Sequence, residues 1–228
     1  MNIIRKVSVK ELRSNYKEHQ KSEQDKNELL GFYVFRRLSF YPTAISMNMG
    51  LTANQTTWIS IFINLAGIIL LAVGDYLSAL LGASMLIFWL VLDSVDGNIA
   101  RYEKSCSLYG EFIDALGAYI AHLSIFAAGI GFYFSRNSLL LQNFELPAET
   151  YSAGILIVGA VASLSAILIR LIYQKFKNTF TALKFDRDDA LDVKDNSSIK
   201  SRLMNMGHNI FNLSGCLLPG LLLAIAVN

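Results

Sequence analysis

The feature that most constrains the fold is a series of long apolar runs separated by polar stretches. Of the 228 residues, 53% are hydrophobic and only 17% are charged. A helix needs about 20 apolar residues to cross a bilayer, where backbone amides must be hydrogen-bonded within the protein. We therefore predict an all-α, polytopic transmembrane helix bundle with five visible spans, at about Trp58–Val73, Leu77–Ala100, Leu108–Phe134, Tyr151–Tyr173 and Met206–Val227.

Basic residues are distributed unevenly between the polar stretches. Residues 1–50 contain nine Lys and Arg, residues 174–205 contain seven, and the loop after the second span contains Arg101 and Lys104. Cytoplasmic loops of membrane proteins carry an excess of Lys and Arg. We therefore predict an integral, multi-pass protein whose N-terminus and second loop lie in the cytoplasm.

Residues 1–50 form an N-terminal segment that precedes the transmembrane domain of residues 51–228. Its stretch from Leu29 to Met49 is apolar and aromatic, but Arg36, Arg37 and Pro42 interrupt it. This pattern is typical of an amphipathic helix in the membrane interface, with its arginines toward the lipid headgroups. The alternative is an amphipathic helix that packs on the bundle.

Acidic residues are concentrated where the second span ends and the third begins. On helices, one face of the second span carries Asp93, Asp96, Gly97, Ala100 and Arg101, and one face of the third carries Gly110, Asp114, Ala118 and His122. Charged residues within apolar helices are costly and indicate a functional site. Two antiparallel helices would bring the three carboxylates together, and their mutual repulsion favours a bound divalent cation.

These residues resemble the motif of the CDP-alcohol phosphotransferase (CDP-alcohol phosphatidyltransferase) family, D-x2-D-G-x2-A-R-x8-G-x3-D-x3-D. The chain matches it at Asp93, Asp96, Gly97, Ala100, Arg101, Gly110 and Asp114. At the last position it has Ala118 instead of an acid. The resemblance implies a membrane transferase of phospholipid or related lipid synthesis. Such an enzyme moves a substituted phosphate from a CDP-alcohol to an acceptor hydroxyl and releases CMP.

The resemblance also implies roles for individual residues. The binding of Mg²⁺ or Mn²⁺, with two metal ions in the family, is assigned to Asp93, Asp96 and Asp114. The binding of the nucleotide and its phosphates is assigned to Gly97, Ala100, Arg101 and Gly110. The implied partners are a CDP-activated alcohol or CDP-lipid, an acceptor alcohol, membrane lipids and a second copy in a homodimer, with no nucleic acid. The family usually has six core spans, so either the chain stops short of the sixth or one span is absent.

The catalytic base is left open, because Ala118 cannot take a proton as the family's last Asp does. His122 is a weak candidate, one turn deeper on the same face. Glu111 is rotated about 100° from Gly110 around the helix axis, so it lies off the face that carries Gly110 and Asp114. A metal or a substrate phosphate could instead activate the acceptor hydroxyl. The alternative function is a catalytically impaired or inactive family member that binds nucleotide-lipid or serves an assembly role.

The roles of residues in two further regions have alternative interpretations. Thr52 or Asn54 is a candidate N-cap of the first span. For Asn54 and Thr57 we favour a capping role over a position near the nucleotide, which the family's T-P-N-x-x-T motif would imply. Arg170, near the end of the fourth span, is either a side chain that reaches for lipid headgroups or a contact for an anionic substrate group.

Overall fold

The computed structural model describes residues 6–18, 31–135, 148–185 and 217–227. Within these ranges the regular structure is helical, with no strand, which confirms the predicted all-α class. A π-helical turn, Gly31–Phe35, leads into the second helix. The α-helices in chain order are α1 (Val9–Glu18), α2 (Arg36–Asn48), α3 (Ala53–Val73), α4 (Tyr76–Tyr102), α5 (Leu108–Ala121), α6 (Leu123–Phe134), α7 (Ala148–Phe185) and α8 (Leu218–Val227).

In the described part of the chain, four segments are long and apolar enough to cross a membrane: Ala53–Val73, Tyr76–Tyr102, Leu108–Phe134 and Ala153–Phe176. They correspond to the first four predicted spans, which are therefore confirmed as apolar helices of spanning length. The third of them comprises α5 and α6, which meet at His122. The predicted fifth span begins outside the described residues, and only its last part is described, as α8.

The pair formed by α3 and α4 is the centre of the bundle. Thr52 caps α3 in a capping box: its Oγ1 accepts from the Gln55 amide at 3.3 Å, and Gln55 Oε1 accepts from the Thr52 amide at 3.0 Å. A tight turn follows, with Gly74 at φ +91° and Asp75 capping α4 through the Ser78 amide. The capping residue of α3 is thus Thr52, and the preference for capping by Asn54 or Thr57 is wrong.

Close backbone contact holds α3 and α4 together. A Cβ atom at Gly82 would lie 2.6 Å from the Leu71 amide nitrogen and 2.7 Å from the Gly67 carbonyl oxygen. Only glycine permits this separation, as at other small-residue crossings of membrane helices. The contact fixes the relative position of the two helices, and with it the position of Thr57 on α3 against Asp96 on α4.

The N-terminal helices α1 and α2 pack beside the last turns of α4. The face of α2 toward the protein buries Ser39, Phe40, Thr43 and Ala44, and Phe40 and Ala44 pack against α1. The opposite face exposes apolar side chains, including those of Leu38, Tyr41 and Ile45. The helix predicted in this segment is therefore present and packs on the bundle. Its location in a membrane interface stays a prediction, which the outward apolar face favours.

Candidate functional site

A cavity of about 550 Å³ opens where α2, α3, α4 and α5 meet. The seven motif residues all lie in its wall. Its lining comprises Arg36, Ala53, Asn54, Thr57, Asp93, Ser94, Asp96, Gly97, Ala100, Arg101, Ser105, Cys106, Ser107, Leu108, Gly110, Glu111 and Asp114. The helical spacing therefore predicted correctly that residues from the second and third spans face one region.

Asp96 is the most buried carboxylate of the motif, with 6% of its surface exposed. Thr57 Oγ1 donates to Asp96 Oδ2 at 2.6 Å, and the Gly97 amide donates to Asp96 Oδ1 at 2.5 Å. Each carboxylate oxygen is therefore held by a separate donor, one on α3 and one on α4. This fixes the side chain and keeps one lone pair on each oxygen available for another ligand.

Asp93 and Asp114 are partly buried and line the same cavity, from α4 and α5 respectively. Among the described residues, no three His, Cys, Asp or Glu side chains are arranged so that together they could hold a metal ion. Magnesium, however, is usually bound by one or two carboxylates and completes its shell with waters and substrate phosphates. One or two of the three carboxylates around this cavity could therefore ligate a hard divalent cation that arrives with a phosphate ligand.

Gly97 makes room for the side chain of Arg101. A Cβ atom at Gly97 would lie 3.0 Å from Arg101 Nη1 and 3.1 Å from Nη2. The guanidinium thus lies against the bare backbone of its own helix, and Arg101 Nη2 donates to Asn98 Oδ1 at 3.0 Å. The resemblance assigned nucleotide and phosphate binding to Gly97; in this structure the space beside Gly97 is occupied by the Arg101 guanidinium, which can itself bind a phosphate.

Gly110 has a comparable role on α5. Ser107 caps this helix by accepting a hydrogen bond from the Gly110 amide at 3.0 Å. A Cβ atom at Gly110 would lie 3.1 Å from Asn54 Oδ1, so the missing side chain lets the amide of Asn54 approach the first turn of α5. Asn54 therefore faces the cavity from α3.

The position of the missing acid lies outside this cavity. Ala118 is buried one turn beyond Asp114, and neither it nor His122 is among the described residues that line the cavity. His122 Nδ1 lies 2.7 Å from the Ala118 carbonyl oxygen. Because a carbonyl only accepts, this nitrogen carries the hydrogen and donates it to the backbone. The structure thus places His122 in the junction of α5 and α6 instead of in the cavity wall.

Arg170 also lies away from the cavity lining. Its guanidinium carbon is 5.9 Å from the centre of the Tyr119 ring, a distance at which a cation is attracted to the ring face. The Tyr119 hydroxyl in turn donates to Gln174 Oε1 at 2.7 Å. Arg170 thus belongs to a contact between α5 and α7 and not to the described site.

Two cavity residues with charged side chains were not predicted from the sequence. Arg36 comes from α2, where we expected it to face lipid headgroups, and Glu111 comes from the first turn of α5, where we placed it off the face that carries Gly110 and Asp114. The faces that the second and third spans direct at each other do not include Glu111. The loop residues 105–107 extend the cavity around the start of α5 and so include Glu111. No local pattern around Arg36 indicated its contact with α4.

Comparison with known protein families gives one match. The model of the family described as CDP-alcohol phosphatidyltransferase matches residues 50–188. This range covers α3 to α7 and all seven motif residues, and it leaves out α1 and α2. A search of curated proteins finds no significant match.

Proposed function

Because the chain belongs to the CDP-alcohol phosphatidyltransferase family, we propose that it transfers a substituted phosphate from a CDP-alcohol to an acceptor hydroxyl and releases CMP. The family places it among the membrane transferases of phospholipid synthesis. The observation that carries the specific reaction is the single cavity, which brings all seven motif residues together with Asn54 and Thr57. The basic N-terminal segment and loops support a cytoplasmic position for this cavity.

The motif acids would hold a divalent cation. Asp93, Asp96 and Asp114 are the residues for Mg²⁺ or Mn²⁺, which when bound would neutralise charge on the pyrophosphate of the donor. Thr57 orients Asp96 through its 2.6 Å hydrogen bond. Arg101 lies in the same wall and offers a planar fork of donors that suits phosphate oxygens. These residues bind and orient the donor; the acceptor hydroxyl would attack the phosphorus that bears the alcohol, and CMP would leave.

A residue other than Ala118 must accept the proton of the acceptor hydroxyl. Glu111 is exposed to solvent and lines the cavity, and it is a carboxylate that can pass a proton to water. We propose Glu111 as the proton acceptor in preference to His122, whose ring is directed at the Ala118 carbonyl. Comparing Glu111→Gln with His122→Gln in an assay of CMP release tests this preference; a loss confined to the His122 variant would reverse it.

One observation favours a second function. Ala118 is buried at the position of the family's last acid, so the chain keeps the residues for binding but lacks the family's catalytic acid at this position. A family member of this kind would bind CDP-lipid without turning it over. Homodimer formation, as the family implies, is compatible with either function.

The deciding experiment is a screen of CDP-alcohol and acceptor pairs, read as CMP release by the purified full chain in lipid nanodiscs with Mg²⁺ or Mn²⁺. We expect release that depends on an acceptor and is lost in Asp96→Asn. The matched control is Glu103→Gln, which removes an exposed carboxylate just beyond α4, away from the cavity lining. If wild-type protein binds CDP but releases no CMP with any acceptor, the binding function replaces the transferase.

A further inference from the structure

Two arginines from different parts of the chain meet at one amide oxygen in the cavity wall. Arg36 Nη1 on α2 lies 3.4 Å from Asn98 Oδ1, and Arg101 Nη2 on α4 lies 3.0 Å from the same atom. Both arginines line the cavity. The shared acceptor holds the two guanidinium groups next to each other at the edge of the site.

Asn98 is firmly oriented for this role. Its Nδ2 donates to Ser39 Oγ at 3.0 Å and to Thr43 Oγ1 at 3.2 Å, and both hydroxyl groups are fully buried on α2. With its amide nitrogen directed at these hydroxyls, the amide oxygen must face the arginines. Asn98 therefore couples α2 to α4 and fixes the distance between Arg36 and Arg101.

Arg36 is also supported from its other side. Its guanidinium carbon lies 5.3 Å from the centre of the Tyr16 ring on α1, and Tyr16 is buried. An aromatic face beneath a guanidinium keeps the plane of the group fixed while its edge remains able to donate. Three helices thus position this side chain: α1 below it, α2 carrying it and α4 beside it.

The chemistry of this pair indicates its ligand. Each guanidinium has five N–H donors in a rigid fork, so both groups can donate to one anion while the bonds to Asn98 persist. Two guanidinium groups held side by side attract an anionic group such as a phosphoryl group. Tetrahedral phosphate oxygens match the geometry of guanidinium donors.

We infer that Arg36, together with Arg101, binds a phosphoryl group of a substrate, and that α2 thereby contributes to specificity from outside the region that the family model matches. This inference rests on the proposed function in that the substrates carry phosphates. The phosphoryl group could be the pyrophosphate of the donor or a phosphomonoester on the acceptor.

The test is ligand binding to the purified full chain in nanodiscs, measured by calorimetry with Mg²⁺ present. The probes are CDP, and inorganic phosphate added after CDP has saturated the protein. Loss of a charge-assisted hydrogen bond is worth about tenfold or more in affinity. We expect Arg36→Gln to weaken one of the two probes by that factor. Weaker CDP binding would identify the donor pyrophosphate, and weaker phosphate binding would identify the acceptor.

Arg37→Gln is the matched control. Arg37 is the next residue of α2, is exposed, contacts Tyr33 and does not line the cavity. It carries the same charge, so a general effect of charge on anion binding would appear equally in both variants. We expect the control to bind both probes within about twofold of wild type. Equal losses in the two variants would overturn the inference.

A second variant separates binding from support of the fold. Arg36→Lys keeps the charge but loses the planar fork, so we expect affinity between those of wild type and Arg36→Gln. If both variants lower the melting temperature while the affinity for both probes is unchanged, Arg36 is only a tether and the inference is wrong. It is also wrong if wild-type protein binds neither probe. These readouts need no turnover, so failure to release CMP would reject the proposed transferase without deciding the role of Arg36.

Discussion

The two helices that supply the motif differ in how they are held. The last turns of α4 are enclosed: Asp96 is bonded to α3, Asn98 to α2, and Val95 and Ile99 are fully buried. The first turns of α5 are open, with Leu108 87% and Phe112 63% exposed. We infer from this difference that the cavity residues of α4 are held in fixed positions by neighbouring helices, whereas the first turns of α5 are supported on one side only.

The largest effect on CMP release is expected at the enclosed end of α4. Asp96→Asn removes a proposed cation ligand whose two oxygens are already oriented by Thr57 and Gly97. Because a bound cation stabilises transition-state charge by several kcal/mol, we expect CMP release to fall by about 10³-fold or more. Asp114→Asn on the open helix should cost less. A greater loss for Asp114→Asn, measured under the same conditions, would contradict this difference between the two helices.

Ala118→Asp tests the lower part of α5. Residue 118 lies outside the cavity and Glu111 is the proposed proton acceptor, so we expect CMP release to be unchanged. Ala118 is buried, so the melting temperature should fall. Ala115→Asp is the control, since it adds a carboxylate to the same helix outside the cavity lining. A rise in CMP release of about 10²-fold, the contribution of a general base, would contradict this and show that the acceptor hydroxyl lies within reach of residue 118.

Thr57→Val removes the hydroxyl that orients Asp96 and changes little else in shape. Partners of metal-binding residues typically contribute 10–100-fold to affinity or activity, so we expect the apparent affinity for Mg²⁺ to fall by about tenfold. The control is Thr56→Val: this neighbour is also buried, but its hydroxyl donates to the Thr52 carbonyl instead of a carboxylate. Titration of CMP release with Mg²⁺ distinguishes the two, and equal shifts would remove the assigned role of Thr57.

Gly97→Ala is expected to have the smallest effect. The added methyl group would meet the Arg101 guanidinium at about 3.0 Å, and this flexible group can move aside. We expect KM for the CDP-alcohol to rise about threefold, less than the tenfold that loss of a charge-assisted hydrogen bond gives. Gly154→Ala, where nothing lies within 4 Å, is the control for replacing a helical glycine. A loss of folding in Gly97→Ala would show that the enclosed end of α4 tolerates less movement than this.

The parts of the fold that local chemistry determines could be predicted from the sequence. Apolar length predicted the first four spans, and helical spacing grouped the three acids. The contribution of Arg36 could not be predicted, because its contact with Asn98 spans 62 residues and depends on how α2 packs. Glu111 was missed for a similar reason, since the loop before α5 extends the cavity beyond the face that two helices share.

The direction in which α2 faces has a consequence for work on the protein. Its hydroxyl groups point inward, at Asn98, while Leu38, Tyr41 and Ile45 point outward. Because contact of the outward apolar face with water is unfavourable, the surrounding lipid or detergent helps to keep α2 in place, in addition to its contacts with the protein. The choice of detergent or lipid therefore affects the position of α2, and with it the position of Arg36 in the cavity. Affinities measured in short-chain detergent and in nanodiscs should differ most for the ligand that Arg36 contacts.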